Sequence, residues 1–406
     1  MTSNARVFLS AGEASGDHYG AELISELKRR LAGATFFGLG GTEMEAAGLH
    51  RVIKAEDVAV MGITEILRHI PRIYMSYRKL VDSIKRERPD VAVLIDFPDV
   101  NFRLAKHCKR MGIPVVWFVS PQLWAWKRQR LRWVQQRVAR MMVIFPFEAP
   151  FYEARGVNAE FVGHPLAALP LPVSSREEFA EKYGLDVGKT WIALLPGSRE
   201  KEVVANLSEM LEAADQLSLF MDCEFLIPAA TTISVDWLKN QMKSWIEPID
   251  RNSEPRRLNL HVVFDAREAM SHARASVVAS GTATVQALLI GNPFVVVYRV
   301  SKTTFALAKR LVKYPVEIPA PVDEVGNLPI AMVNLIAGKR IVPELINEQF
   351  TAASVASALK PLIEDGVERE RMVRNLTEAK GRLVVSGDES PVERVAGAVL
   401  GVLGLA

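Results

Sequence analysis

Apolar residues along the chain fall into two alternating patterns. Short continuous runs, ARVFLSAG, ATFFGLGG, VAVLIDFPD, PVVWFVSP and RMMVIFPFE, read as buried strands that end in loops. Between them, apolar positions recur at helical spacing, as in Tyr19 to Leu31 and Phe102 to Met111. This alternation argues for parallel βαβ units, with ligands held by loops at the carboxyl ends of the strands. A Pro-rich stretch, PLAALPLPVSS, follows Gly163-His164-Pro165 and reads as an interdomain linker. The alternation then restarts with WIALLPGSRE, CEFLIPAA, LHVVFDA, ASVVASGTA and PFVVVYRV. The expectation is an α/β protein of two doubly wound, Rossmann-like domains, 1–168 and 169–365. A helical segment, 366–406, ends in a helix from Pro391 to Leu403 after the break Ser386-Gly387-Asp388.

Composition narrows the picture. At 406 residues the chain is too long for one ordinary core, which agrees with two domains. A net charge of +3 does not demand nucleic acid, but suits an anionic membrane surface or phosphorylated substrates. Cys108 and Cys223 lie far apart and read as reduced structural thiols. The N-terminus lacks the layout of a signal peptide, and no run approaches the ~18 apolar residues of a spanning helix. A cytosolic protein that touches a membrane from that side is expected.

Two strand-to-helix turns in the second half look like phosphate cradles. In LLPGSREKEV, Gly197 lets the backbone come close, Ser198 and the following helix offer N–H groups, and Arg199 adds a fixed cation. In VVASGTATVQALLIGNP, Ser280, Gly281 and Thr282 repeat the design. A plain turn and an ordinary N-cap on Ser280 or Thr282 explain the same residues without a ligand. Neither spacing is a P-loop or a dinucleotide fingerprint, and no metal motif is present.

The first half offers carboxylates. In VLIDFPDVN, Asp96 and Asp99 follow an apolar strand; Asp99 is the more natural helix cap, which leaves Asp96 as the better base. GEASGDHYG places Gly12, Glu13, Ser15, Gly16 and Asp17 in the first loop. FVSPQLWAWKRQRLRW sets Ser120, Gln122, Trp124 and Trp126 where they line a sugar or acyl pocket or else pack a core, with Lys127, Arg128, Arg130 and Arg132 on a solvated face. His18 and His164 sit in motif loops and are candidates for ligand contact. In VMGITEILRHIPRIYMSYRKL, the stripe Ile63, Ile66, Leu67, Ile70, Ile73, Tyr74 and Tyr77 is flanked by Arg and Lys. It reads as a core-facing helix or as a surface that enters a membrane.

GEASGD, VAVMGITEIL, IDFPDVN, VSPQLWAWK, FPFE, VGHPL, LLPGSREKEV, ASGTATVQ, VYR and NLIAG occur in an order that resembles the lipid-A-disaccharide synthase family, from about Arg6 to past Pro343. The resemblance implies a GT-B glycosyltransferase, with a cleft between its domains and no cofactor or metal. It implies UDP-2,3-diacylglucosamine as donor, 2,3-diacylglucosamine 1-phosphate as acceptor, and the cytoplasmic face of the inner membrane as the workplace. Asp96 matches the family's essential aspartate. Arg199, Gly197, Ser198, Ser280, Gly281 and Thr282 take the UDP side, with Gln286 and Asn334. The first-half loops, Gly12 to Asp17 and Ser120 to Trp124, take the acceptor side. Four acyl chains tip the stripe toward the membrane, since each buried CH₂ contributes about 0.8 kcal/mol. The last helix crosses back to the first domain, or to a partner chain in a homodimer. Gln286 stands where the family has Glu, and bonds a ribose hydroxyl without charge assistance. Met332-Val333-Asn334 replaces a Leu-Pro-Asn, and Ala168 replaces an Asp. Rival readings are another UDP-sugar enzyme of this fold, such as a lipid-linked N-acetylglucosaminyl transferase or an epimerase, and a non-catalytic lipid- or nucleotide-binding relative.

Overall fold

A computed structural model describes residues 4–59, 66–246 and 258–405. Its strands form two parallel sheets. The first contains β1 (Arg6–Ala11), β2 (Thr35–Gly40), β3 (Leu49–Lys54), β4 (Val91–Ile95), β5 (Val115–Phe118), β6 (Arg140–Val143) and β7 (Ala159–Phe161). Their spatial order is β3-β2-β1-β4-β5-β6-β7. The second contains β8 (Thr190–Leu195), β9 (Cys223–Pro228), β10 (Asn259–Val263), β11 (Ala275–Ala279), β12 (Phe294–Tyr298) and β13 (Glu344–Ile346), in the order β10-β9-β8-β11-β12-β13.

The apolar runs are continuous because the central strands are covered on both faces. Every residue of β4 and of β11 is buried. The edge strands β3, β7 and β13 carry exposed or half-exposed positions and lack that sequence signal.

Each sheet reverses its winding between two neighbours: β1 and β4 in the first, β8 and β11 in the second. Register places Ala11 beside Ile95, and Leu195 beside Val278. Such reversal points, at the carboxyl ends of the strands, are where open α/β sheets bind ligands. The four loops that leave these strands therefore begin at Gly12, Asp96, Pro196 and Ser280.

The chain divides into two compact units. One takes the chain up to Ala168, Lys313–Glu317, and everything from Leu383 onward; the other takes Leu169–Val312 and Ile318–Arg382. The last helix, Pro391–Leu403, therefore belongs to the first unit, where it packs on the helix Ala14–Arg30 and on β4 and β5. Its buried Val392, Val395 and Val399 supply the contact, and a capping box of Ser390 and Glu393 starts it.

Two helix starts differ from the sequence reading. The helix after β4 begins at Pro98, with Phe97 as N-cap, because Pro suits the first helical position. Asp99 is thus inside the first turn and bonds Arg130 at 2.8 Å instead of capping. The helix after β11 begins at Thr282 on Gly281, with no side-chain cap from Ser280 or Thr282. In the basic run, Arg128 and Arg132 are exposed as expected, while Lys127 and Arg130 are half-buried. Arg128 bonds the carbonyls of Trp124 and Lys313, and Arg130 lies over Phe102 and Trp133.

Among the described residues no helix is long and apolar enough to cross a membrane. Ile63 lies outside the described residues, as do the side chains of Ile66, Leu67, Ile70 and Ile73. The helix Ile66–Glu87 carries the last four, and past them Tyr74 and Met75 are exposed.

Candidate active site

In the first unit, Asp96 and Phe97 follow β4 in the left-handed region, with φ of +44° and +48°. Val119, just past the neighbouring strand β5, has φ of +62°. Side-chain-bearing residues rarely hold this conformation, and each costs roughly 1–3 kcal/mol. Such strain gathers where a fold presents reacting groups. The turn is tied from several directions. The Asp96 N–H donates to Phe118 O at 2.9 Å, and the Asn101 amide donates to Asp96 O at 2.7 Å. The Phe97 ring lies over Gly12, where a Cβ would come within 2.6 Å of it. Glycine at 12 thus makes room for the turn that carries Asp96. Gly16 lets its helix close on β1, since a Cβ at 16 would stand only 3.2 Å from Ala11 Cβ.

Burial pushes the Asp96 carboxyl up to about 6, helped by repulsion from Glu13, while the Phe97 N–H pulls the other way. A carboxyl with this pKa is half ionised near pH 6 and accepts a proton more readily than an ordinary aspartate. Glu13, which acts on it, is exposed, as is Ser15 in the same loop. Asp17 is buried and accepts from the backbone N–H groups of Gly41, Glu43 and Met44 at 2.7 to 3.2 Å, so it ties the first loop to the second. His18 bonds Glu43 at 2.7 Å.

The Ser120–Trp124 loop is built around a carboxylate that sequence reasoning did not single out. Glu148 is fully buried and accepts from the Ser120 hydroxyl at 2.8 Å, the Trp124 indole N–H at 3.0 Å and the Phe145 N–H at 3.1 Å. Burial pushes it up to about 7 against these donors. Ser120 and Trp124 therefore face inward, Gln122 is exposed, and Trp126 lies outside under Lys127. His164 is buried, its Nδ1 accepts the Leu166 N–H at 3.2 Å, and burial pushes it down to about 4.

In the second unit the two reversal-point turns each open a helix. Gly197 has φ of +134°, and a Cβ there would meet Glu202 Cβ at 2.5 Å. The Glu202 carboxylate accepts the Ser198 N–H at 3.1 Å and pairs with the exposed Arg199 at 3.1 Å. Asn206 donates to Pro196 O at 2.8 Å, and the Thr232 hydroxyl donates to Ser198 O. The second turn has Gly281 at φ of +154°, leading to the uncapped start of Thr282–Ile290. Thr282 is exposed there, and Gln286 lies one turn along the same face, half-buried. Two helix N-termini and a cation at one sheet reversal are suited to a diphosphate. Asn334 stands apart. Its amide bonds Val342 O, Glu344 and the N–H groups of Ile341 and Val342 at 2.7 to 3.1 Å, so it ties its helix to β13.

Asn101, Glu148, Glu202 and Asn206 escaped sequence reasoning as working residues. Their one visible signal is a polar residue within or just after an apolar run, which many surface positions share.

Solved structures share this two-sheet architecture. The chain resembles the S. aureus MnaA–UDP co-structure with a TM-score of 0.62 at 14% identity, covering 99% of this chain and 98% of that one. It resembles CalG4, the calicheamicin glycosyltransferase, with a TM-score of 0.55 at 18% identity, covering 98% of both. The fold is that of the GT-B glycosyltransferases. At the sequence level, a lipid-A-disaccharide synthase of Acidobacterium capsulatum is 50% identical over 401 residues, which is 97% of this chain and 96% of that protein. The profile of the Lipid-A-disaccharide synthetase family matches residues 7–394, and the chain belongs to that family.

Proposed function

We propose that this chain transfers 2,3-diacylglucosamine from UDP to the 6-hydroxyl of 2,3-diacylglucosamine 1-phosphate. The products are the β-1,6-linked lipid A disaccharide 1-phosphate and UDP. The donor is α-linked and the product β-linked, so a single in-line displacement suffices. Asp96 takes the proton from the acceptor hydroxyl as its oxygen bonds the anomeric carbon. The bond from that carbon to the β-phosphate oxygen breaks, and the electron pair leaves with UDP. The observation that carries this reading is a strained turn, at the reversal point of the first sheet, holding a carboxyl with its pKa raised to about 6.

On the donor side, the N–H groups around Ser198 and Thr282, with Arg199, stabilise the developing diphosphate charge. That arrangement calls for no metal or other cofactor. Gln286 completes the donor set at the ribose, whereas Asn334, its amide taken up by Val342, Glu344 and Ile341, holds its helix on β13 and is not a donor contact. On the acceptor side Glu13 and Ser15 meet sugar hydroxyls, while the roles of Asp17, Ser120 and Trp124 are to hold their loops. The acyl chains favour a peripheral protein on the cytoplasmic face of the inner membrane, with the helix Ile66–Glu87 as contact surface. Exposed Tyr74 and Met75 support that placement.

The test uses purified protein, both substrates and mass spectrometry of the lipid product. Wild type is expected to form disaccharide and UDP. Asp96→Asn is expected to lose roughly 100- to 10,000-fold in turnover while remaining folded. Wild-type turnover in that variant would remove Asp96 as base.

A further inference from the structure

Asn101 is fully buried in the first unit, where its side chain bridges the two strands of the sheet reversal. From the β4 end it takes two carbonyls, donating to Asp96 O at 2.7 Å and to Ile95 O at 3.2 Å. From β1 it takes Ser10, donating to Ser10 O at 3.3 Å and accepting the Ser10 hydroxyl on Oδ1 at 2.7 Å. The three carbonyls decide which way the amide faces: they only accept, so the NH₂ group points at them, and Oδ1 is left to accept the Ser10 hydroxyl. Ser10 is itself fully buried.

The consequence falls on Asp96. Its N–H is held by Phe118 O on β5, and its C=O by Asn101. Both peptide groups flanking its Cα are therefore fixed, and the residue is kept in a left-handed conformation that it would not hold unaided. An apolar side chain of similar size would fill the same space but leave those carbonyls without this partner. We infer that Asn101, set by Ser10, is a positioning residue that aims Asp96. The inference rests on the reading of Asp96 as the base.

The experiment measures kcat, donor KM and the pH–rate profile for wild type, Asn101→Ala, Ser10→Ala and Asp96→Asn. Displacing a reacting group by about 1 Å costs on the order of 100-fold. Asn101→Ala is expected to lose about that much kcat, with donor KM unchanged, because the donor turns belong to the second unit. Its acid limb is expected to move below that of wild type as the released carboxyl reaches water. Glu13 and Tyr19, the titratable groups that act on Asp96 from the preceding loop and helix, are unaltered in these variants. Ser10→Ala is expected to shift the limb in the same direction, with a loss of roughly 3- to 10-fold, as for one uncharged hydrogen bond. A folded Asn101→Ala with wild-type kcat and acid limb overturns the inference. So does a kcat that falls only in step with the folded fraction while the limb stays in place. If Asn101→Ala does not fold, Ser10→Ala decides alone, and an unmoved limb with unchanged kcat overturns the role. Full activity in Asp96→Asn sinks the base itself, and with it the residue that would aim it; that failure is recognised by the Asp96 variant alone.

Discussion

A carboxyl raised in pKa by burial binds its proton more tightly in the folded chain than in the unfolded one. For Asp96 the ordinary value is 3.8 and the folded value about 6. Its cost to stability is therefore absent below about pH 4, grows as pH rises, and is complete above about pH 6. Asp96→Asn removes that cost. The variant is expected to be more stable than wild type by about 1–3 kcal/mol at pH 8 and no more stable at pH 4, as read by thermal unfolding at the two values. A gain in stability with a loss of turnover is the signature of a residue kept for chemistry. His164 works in the opposite sense. Its folded pKa of about 4 lies below its ordinary 6.5, so the stability it protects is present above pH 6.5 and lost as pH falls toward 4.

At the scale of elements, the turns matter more than the helices and strands they join. Gly197 combines a backbone conformation that side chains rarely adopt with a neighbour only 2.5 Å from a would-be Cβ. Gly197→Ala must displace either the turn or Glu202, and Glu202 anchors the Ser198 N–H. The variant is expected to bind UDP at least about 10-fold more weakly by titration calorimetry, a loss of roughly one good hydrogen bond. Unchanged affinity would take this turn out of the donor site. The turns were readable in the sequence because small, polar or turn-forming residues directly follow an apolar run in each. The supports behind them were not. Asn101 and Glu148 act on groups that the sheet brings near, and Asn101 reaches Ser10 across 91 positions, while Asn206 closes back on the turn that opens its own helix.

At the scale of the molecule, the first unit is closed by the end of the chain. Val392, Val395 and Val399 are buried where the last helix meets Ala14–Arg30 and the strands β4 and β5. Burying a valine contributes about 1.5–3 kcal/mol, so removing residues 389–406 is expected to destabilise the first unit by on the order of 5 kcal/mol. The second unit contains the donor turns and should keep its UDP affinity. Separate unfolding transitions, with and without UDP, would reveal this asymmetry. A truncated chain with the wild-type unfolding profile would deny the helix that role.

The sequence by itself determined the two doubly wound halves, the four turns that leave their reversal strands, and the family. Apolar runs and turn residues are local features, and family motifs are strings of them. Tertiary structure alone decided that Asp96 sits in a strained left-handed turn, that Glu148 turns Ser120 and Trp124 inward, and that Asn334 is spent within its own unit. It also packs the last helix on the first unit, against the helix Ala14–Arg30 and the strands β4 and β5. Each depends on hydrogen bonds or apolar contact between positions in different elements, and no local pattern encodes which partner a buried polar group will find.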